Sequence, residues 1–186
     1  MASTQIRVLL AEDHAAVRHG LRGFLELLDD IVIVGEADDG AQAVALTEQH
    51  RPDVVLIDLL MPVMDGVAAT AESKARFPDV EVVALTSFIE EARVTAALED
   101  GATGYLLKDA DADDVAVAIR RAHAGEAHLD PQVARLVARR IRSRHDDEPA
   151  REPLTEHERA VLSLVAKGHA NKGTQAALWT IEHRAG

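Results

Sequence analysis

Five short aliphatic runs punctuate the first two-thirds of the chain, at residues 6–11, 31–36, 54–58, 81–86 and 104–107. Each is too short for a helix and nearly free of polar residues, the pattern of strands buried on both faces of a parallel sheet. Between them the apolar positions recur at helical spacing. Residues 14–28 place Val17, Leu21, Phe24, Leu25 and Leu28 on one face, and residues 111–124 do the same with Val115, Ala118, Ile119 and Ala122. Residues 41–50, 67–77 and 90–100 also read as helices. Five strands alternating with five helices predict a doubly wound α/β domain over residues 1–124. Asp38-Asp39-Gly40, Arg51-Pro52 and Phe77-Pro78 mark turns between the units.

The pattern changes after residue 124. Residues 131–144 form a further helix with Val133, Leu136, Val137 and Ile141 as its apolar stripe. Arg135, Arg139, Arg140, Arg142 and Arg144 surround that stripe and read as a solvated face rather than a contact for a DNA backbone. The polar, proline-bearing stretch 145–153 completes a helical linker over 125–153. A second unit, 154–186, opens with Thr155 and Glu158 at capping-box spacing. Val161, Leu162, Leu164 and Val165 follow as its apolar face, and Gly168 ends the helix. A shorter helix is expected over 171–179.

The chemistry gathers just past the strand ends. Glu12 and Asp13 follow the first run, Asp58 closes the third, Thr86 the fourth, and Lys108 follows the fifth. In an open parallel sheet those positions meet in one crevice. Three carboxylates, a hydroxyl and an ammonium suit a divalent cation and a phosphoryl group. Mg²⁺ takes oxygen ligands and keeps waters for the rest of its shell. Asp58 is the natural nucleophile, because a carboxylate can form an acyl phosphate. Lys108 offers a point charge to the incoming oxygens and Thr86 a hydrogen-bond donor. Taken singly, Asp13 equally suits a helix cap, Asp58 a turn, and Lys108 a solvated loop; their joint occurrence at successive strand ends favours the site.

Composition narrows the classes. Without cysteine there is no disulfide, thiolate site or cysteine nucleophile. Aromatic residues are 3% of the chain, so the core must be aliphatic. No apolar stretch approaches the roughly 20 residues of a membrane span, and no secretion signal is visible, so a cytoplasmic protein is expected. Residues 1–124 carry 10 Lys and Arg against 23 Asp and Glu, whereas 125–186 carry 10 against 9. Nucleic acid would be repelled by the first part, so any DNA contact belongs to the second.

These residues resemble a known family. Glu12-Asp13, Asp58, Thr86 and Lys108 look like the site of the receiver domain of two-component response regulators. Asp58-Leu-Leu-Met-Pro-Val-Met-Asp-Gly66 resembles its phosphorylation loop and Gly101-Ala-Thr-Gly-Tyr-Leu-Leu-Lys-Asp109 its lysine loop. Leu154-Thr-Glu-His-Glu-Arg-Ala-Val-Leu162 resembles the start of a LuxR-type helix-turn-helix, which points to the NarL/FixJ subfamily. The resemblance implies a flavodoxin-like, five-stranded receiver fold. Asp58 would accept phosphate from a sensor histidine kinase. Glu12, Asp13, Asp58 and the backbone carbonyl of Leu60 would bind Mg²⁺. Lys108 would contact the phosphoryl group, Thr86 would move toward it, and Tyr105 would turn inward behind Thr86. The surface formed by 90–100 and 111–124 would pass the change to a partner domain or a second subunit of a homodimer. The residues alone read Tyr105 as a half-buried aromatic that packing explains equally well.

The second unit departs from the family pattern. Gly173 and Thr174 stand where an acidic residue and a bulky aliphatic are usual, and eight residues follow Leu178. A recognition helix beginning near Ile181 would have its first turn only, so direct base readout is not expected and no DNA-contacting residue is assigned. Two functions are therefore weighed. One is a phosphorylation-dependent transcription regulator; the other is a receiver-only signalling protein or phosphate sink. An aspartate-nucleophile phosphatase would need an acid where Leu60 stands, and a flavin carrier would be repelled by Glu12-Asp13. The chain thus reads as a phosphoacceptor rather than an enzyme.

Overall fold

A computed structural model describes residues 5–147, with side chains through Ile141. The expected helix-turn-helix, 154–186, lies outside the described residues. Strands β1 (Ile6–Ala11), β2 (Ile31–Ala37), β3 (Val54–Asp58), β4 (Glu81–Thr86) and β5 (Gly104–Leu107) alternate with helices α1 (Ala15–Leu25), α2 (Gly40–His50), α3 (Gly66–Arg76), α4 (Glu91–Glu99) and α5 (Ala112–His123). Strand β6 (His128–Leu129) and helix α6 (Pro131–Asp147) follow. All strand pairings are parallel and the order is β2-β1-β3-β4-β5-β6. The doubly wound α/β class is as the hydrophobic pattern predicts; the sixth strand adds to the five expected.

Alternation along each strand divides the core between two faces. Val8 and Leu10 of β1, Leu56 of β3 and Leu85 of β4 pack with Leu25 of α1 and with Val115 and Ile119 of α5. Leu9 and Ala11, with Val55 and Ile57, point the other way, onto Val44 of α2 and Ala69 of α3. The central strands run unbroken in apolar residues because both faces are covered. The helices start where expected, two of them with aspartate caps: the Asp39 side chain accepts from Gln42 N and that of Asp65 from Ala68 N.

A third cluster lies at the β5 side. Leu59, Ala84, Val94, Ala97 and Tyr105 pack with Val133, Leu136 and Val137 of α6. The apolar stripe expected on 131–144 is therefore docked against the domain, and Arg140 Nη1 donates to Thr95 Oγ1 of α4 at 2.6 Å. Arg135 and Arg139 are exposed. Strand β6 pairs Gly104 with His128 and Tyr105 with Leu129, closing the β5 edge. Helix α4, which with α5 forms the surface expected to face a partner, is thus partly covered by the chain's own next segment.

Candidate functional site

The C-terminal ends of β1 and β3 and the residue following β5 converge, as a doubly wound topology requires at its switch point. Glu12 and Asp58 are each 1% exposed, and Lys108 reaches both. Its Nζ lies 2.7 Å from Asp58 Oδ2 and 2.9 Å from Glu12 Oε1. Burial works against the ammonium, but its hydrogen bonds to Asp58 and Glu12 prevail and raise its pKa above the ordinary lysine value. Asp58 Oδ1 accepts the Leu60 backbone N–H at 3.0 Å. The carboxylate is therefore held from both sides.

The loop behind Asp58 is shaped by close backbone packing. Gly66 N–H donates to Leu59 O at 3.1 Å, and Gly40 N–H donates to Met64 O at 3.0 Å. A Cβ at Gly66 would run into the carbonyl oxygen of Asp58 and come within 2.7 Å of Leu59 Cα. Glycine is required there by space rather than by backbone angle.

Asp13 does not cap α1. The N-cap is His14, and no side chain makes a cap hydrogen bond. Instead Glu12, Asp13, His14 and Asp58 each offer a ligand atom, all within 4.8 Å of one another. Glu12 Oε2 and Asp13 Oδ1 are buried and, among the described residues, their near neighbours are the ion-pairing Lys108 Nζ at 2.7 Å and His14 Nδ1 at 2.8 Å. Three carboxylates and one ammonium leave a formal excess of two negative charges, and like charges held this close are unfavourable without a counter-ion. Hard oxygen donors, their close convergence and that excess charge fit a divalent cation.

The sequence-predicted residues are not all equally placed. Glu12, Asp13, Asp58 and Lys108 come together. Leu60 joins them through its backbone N–H. Thr86 is buried at the end of β4, but its hydroxyl donates to Phe88 O at 2.9 Å, toward the β4–α4 loop. Tyr105 is fully buried, not half-buried, and its hydroxyl makes no hydrogen bond among the described residues. Burial pushes its pKa up to about 12, with the Thr86 hydroxyl and then the Arg93 charge pulling the other way. His14 was missed by sequence reasoning, although its place directly after Glu12-Asp13 was the signal.

Comparison with known proteins shows the family. Residues 8–120 match the response regulator receiver domain. The chain belongs to the response regulators. It is 44% identical over 167 residues to the transcriptional regulatory protein LiaR of Bacillus subtilis, spanning 90% of this chain and 79% of LiaR. A two-component response regulator of the LuxR family from Aurantimonas superposes with a TM-score of 0.70 at 30% identity, over 74% of this chain and 99% of that one. The isolated receiver domain of RcsB from Salmonella enterica, solved in the presence of the phosphomimetic BeF3-, superposes with a TM-score of 0.65 at 27% identity, over 72% and 99%. Among the described residues of this response regulator, no helix is long and apolar enough to cross a membrane.

Proposed function

We propose that this response regulator takes a phosphoryl group onto Asp58 from the phosphohistidine of a sensor kinase, and that it regulates transcription in response. The observation that carries the reading is the Asp58 carboxylate itself. It is buried at a strand end, anchored by Leu60 N–H and Lys108 Nζ, and set among Glu12, Asp13 and His14.

The chemistry is an in-line displacement. A carboxylate oxygen of Asp58 forms a bond to phosphorus as the phosphorus–nitrogen bond to the donor imidazole breaks. The bonding pair returns to that nitrogen, and the product on the protein is an acyl phosphate. Glu12, Asp13, Asp58 and the Leu60 carbonyl would hold Mg²⁺, which when bound supplies neutralising charge to the phosphoryl oxygens. Lys108 orients the acceptor through Oδ2 and carries a fixed positive charge beside the position of the transferred group. Leu60 N–H fixes Oδ1. The protein contributes positioning and charge, and it is consumed stoichiometrically as an acceptor rather than turning over a substrate.

Partners follow from the same reading: a histidine kinase as donor and a second copy of the receiver as a homodimer partner. The likeness to the RcsB receiver domain solved with a phosphomimetic supports the acceptor role, and the likeness to LiaR, a transcriptional regulatory protein, supports the transcriptional one. Intact-mass measurement after incubation with Mg²⁺ and a small phosphodonor tests the acceptor. The unaltered chain gains one phosphoryl group, Asp65→Asn still does, and Asp58→Asn does not. Full labelling of Asp58→Asn would place the acceptor elsewhere and refute the assignment.

A further inference from the structure

We propose that Arg18 is a positioning residue for phosphoryl transfer to Asp58, holding the Glu12–Asp13 backbone so that both carboxylates face the acceptor. The proposal rests on the phosphoacceptor reading above and adds to it a side chain from outside the pocket.

The first argument is placement. Arg18 lies in α1, where its backbone N–H donates to His14 O at 3.0 Å and closes the first turn. Side chains on a helix lean toward its N-terminus, so a long one at this position runs back over the end of β1. The guanidinium follows that path. Its Nη1 donates to the backbone carbonyl of Glu12, and its Nε lies 3.4 Å from Glu36 Oε2 on β2. The side chain is only 17% exposed, well covered for an arginine.

The second argument is what that carbonyl controls. Glu12 is held at three points: its N–H donates to Ala37 O at 3.0 Å, its carboxylate takes Lys108 Nζ, and its carbonyl takes Arg18. The carbonyl belongs to the planar peptide unit that joins Glu12 to Asp13. Fixing it therefore fixes the direction in which the chain leaves β1, and with it the placement of Asp13 beside Asp58.

The third argument is residue type. The planar fork of arginine serves two acceptors at once in a fixed geometry, which an ammonium on a flexible stem does not. Glu36 anchors the fork from the side of β2, and Arg22 pairs with the other oxygen of Glu36. The competing role for Arg18 is a plain ion pair between α1 and β2. A partly exposed pair contributes little stability, and that role gives Arg18 no influence on Mg²⁺ or on the phosphoryl group.

The test uses the full chain. Phosphorylation by acetyl phosphate is followed by intact mass, Mg²⁺ binding by calorimetry, and folding by circular dichroism. Arg18→Met keeps the apolar stem, Arg18→Lys keeps a charge beside Glu36, and Glu36→Gln cuts the ion pair from the other side. Both Arg18 variants should weaken Mg²⁺ binding and slow phosphorylation, each by roughly tenfold or more, the scale reached by groups that orient metal ligands. Glu36→Gln should leave both at the parent level. If Arg18→Met fails to fold, Arg18→Lys carries the test alone. Parent-level Mg²⁺ affinity or rate in a folded Arg18 variant overturns the assignment, and so does a loss in Glu36→Gln as large as theirs. A parent chain that gains no mass overturns the acceptor reading first, and this proposal with it.

Discussion

Tyr105 is the single tyrosine of the chain, so its ionisation can be read without interference. It is completely buried, its hydroxyl has no hydrogen bond among the described residues, and burial raises its pKa from 10.0 to about 12. That difference corresponds to ~3 kcal/mol in favour of the neutral phenol inside the fold. The sign follows directly. The native state holds the proton more tightly than the unfolded chain, so this contribution is whole below pH 10 and is lost as pH rises from 10 through about 12. Phenolate absorbance in the near ultraviolet is the assay, with circular dichroism recorded in parallel. In concentrated guanidinium chloride the midpoint should fall near 10, and in the native protein near 12. Val133, Leu136 and Val137 of α6 belong to the same core cluster as Tyr105. Leu136→Ala opens that cluster at a cost of about 2–5 kcal/mol, depending on how far the site collapses, and should move the native midpoint down toward 10. A native midpoint at 10, with dichroism intact and no response to Leu136→Ala, would refute both the burial of the hydroxyl and the docking of α6 over this region.

Two further outcomes are expected. Gly66→Ala should lose phosphorylation at Asp58 and lower the melting temperature, since its methyl group overlaps the Asp58 carbonyl; equal mass gain and an unaltered melting curve would show that the loop yields freely. His128, on β6, has its pKa lowered by burial and then by the Arg121 charge, with Asp114 and Asp130 opposing. A neutral histidine in the fold means stability complete above about 6.5 and falling as the solution is acidified below it. The acid-side drop in melting temperature should shrink in His128→Asn, and an identical pH profile would remove His128 as its cause.

Much of this was legible in the residues. The aliphatic runs located β1, β3, β4 and β5 to the residue, because a strand buried on both faces leaves no room for polar interruption. The same topology rule gathers Glu12, Asp13, Asp58 and Lys108 at one end of the sheet. Other features depend on contacts that no local pattern encodes. Strand β6 is two residues long and carries one apolar side chain, too little for a periodicity. Thr86 is committed to Phe88 by the path of the β4–α4 loop. Tyr105 is wholly buried because α6, which reads as a linker, packs into its cluster. Residue 14 reads as the beginning of a helix, and its imidazole lies beside the carboxylates because, at the N-cap, its side chain makes no capping hydrogen bond.

The brief pairing of β6 with β5 also bears on solubility. An uncovered strand edge is a template onto which a foreign strand can grow, and one flank of this sheet is blocked by two residues tethered to a docked helix. The opposite flank is β2, seven residues long, whose pairing with β1 shifts register between Val8 and Leu9. Such an irregularity bends and twists a strand. The bend therefore makes β2, the remaining flank, a poorer template for a foreign strand.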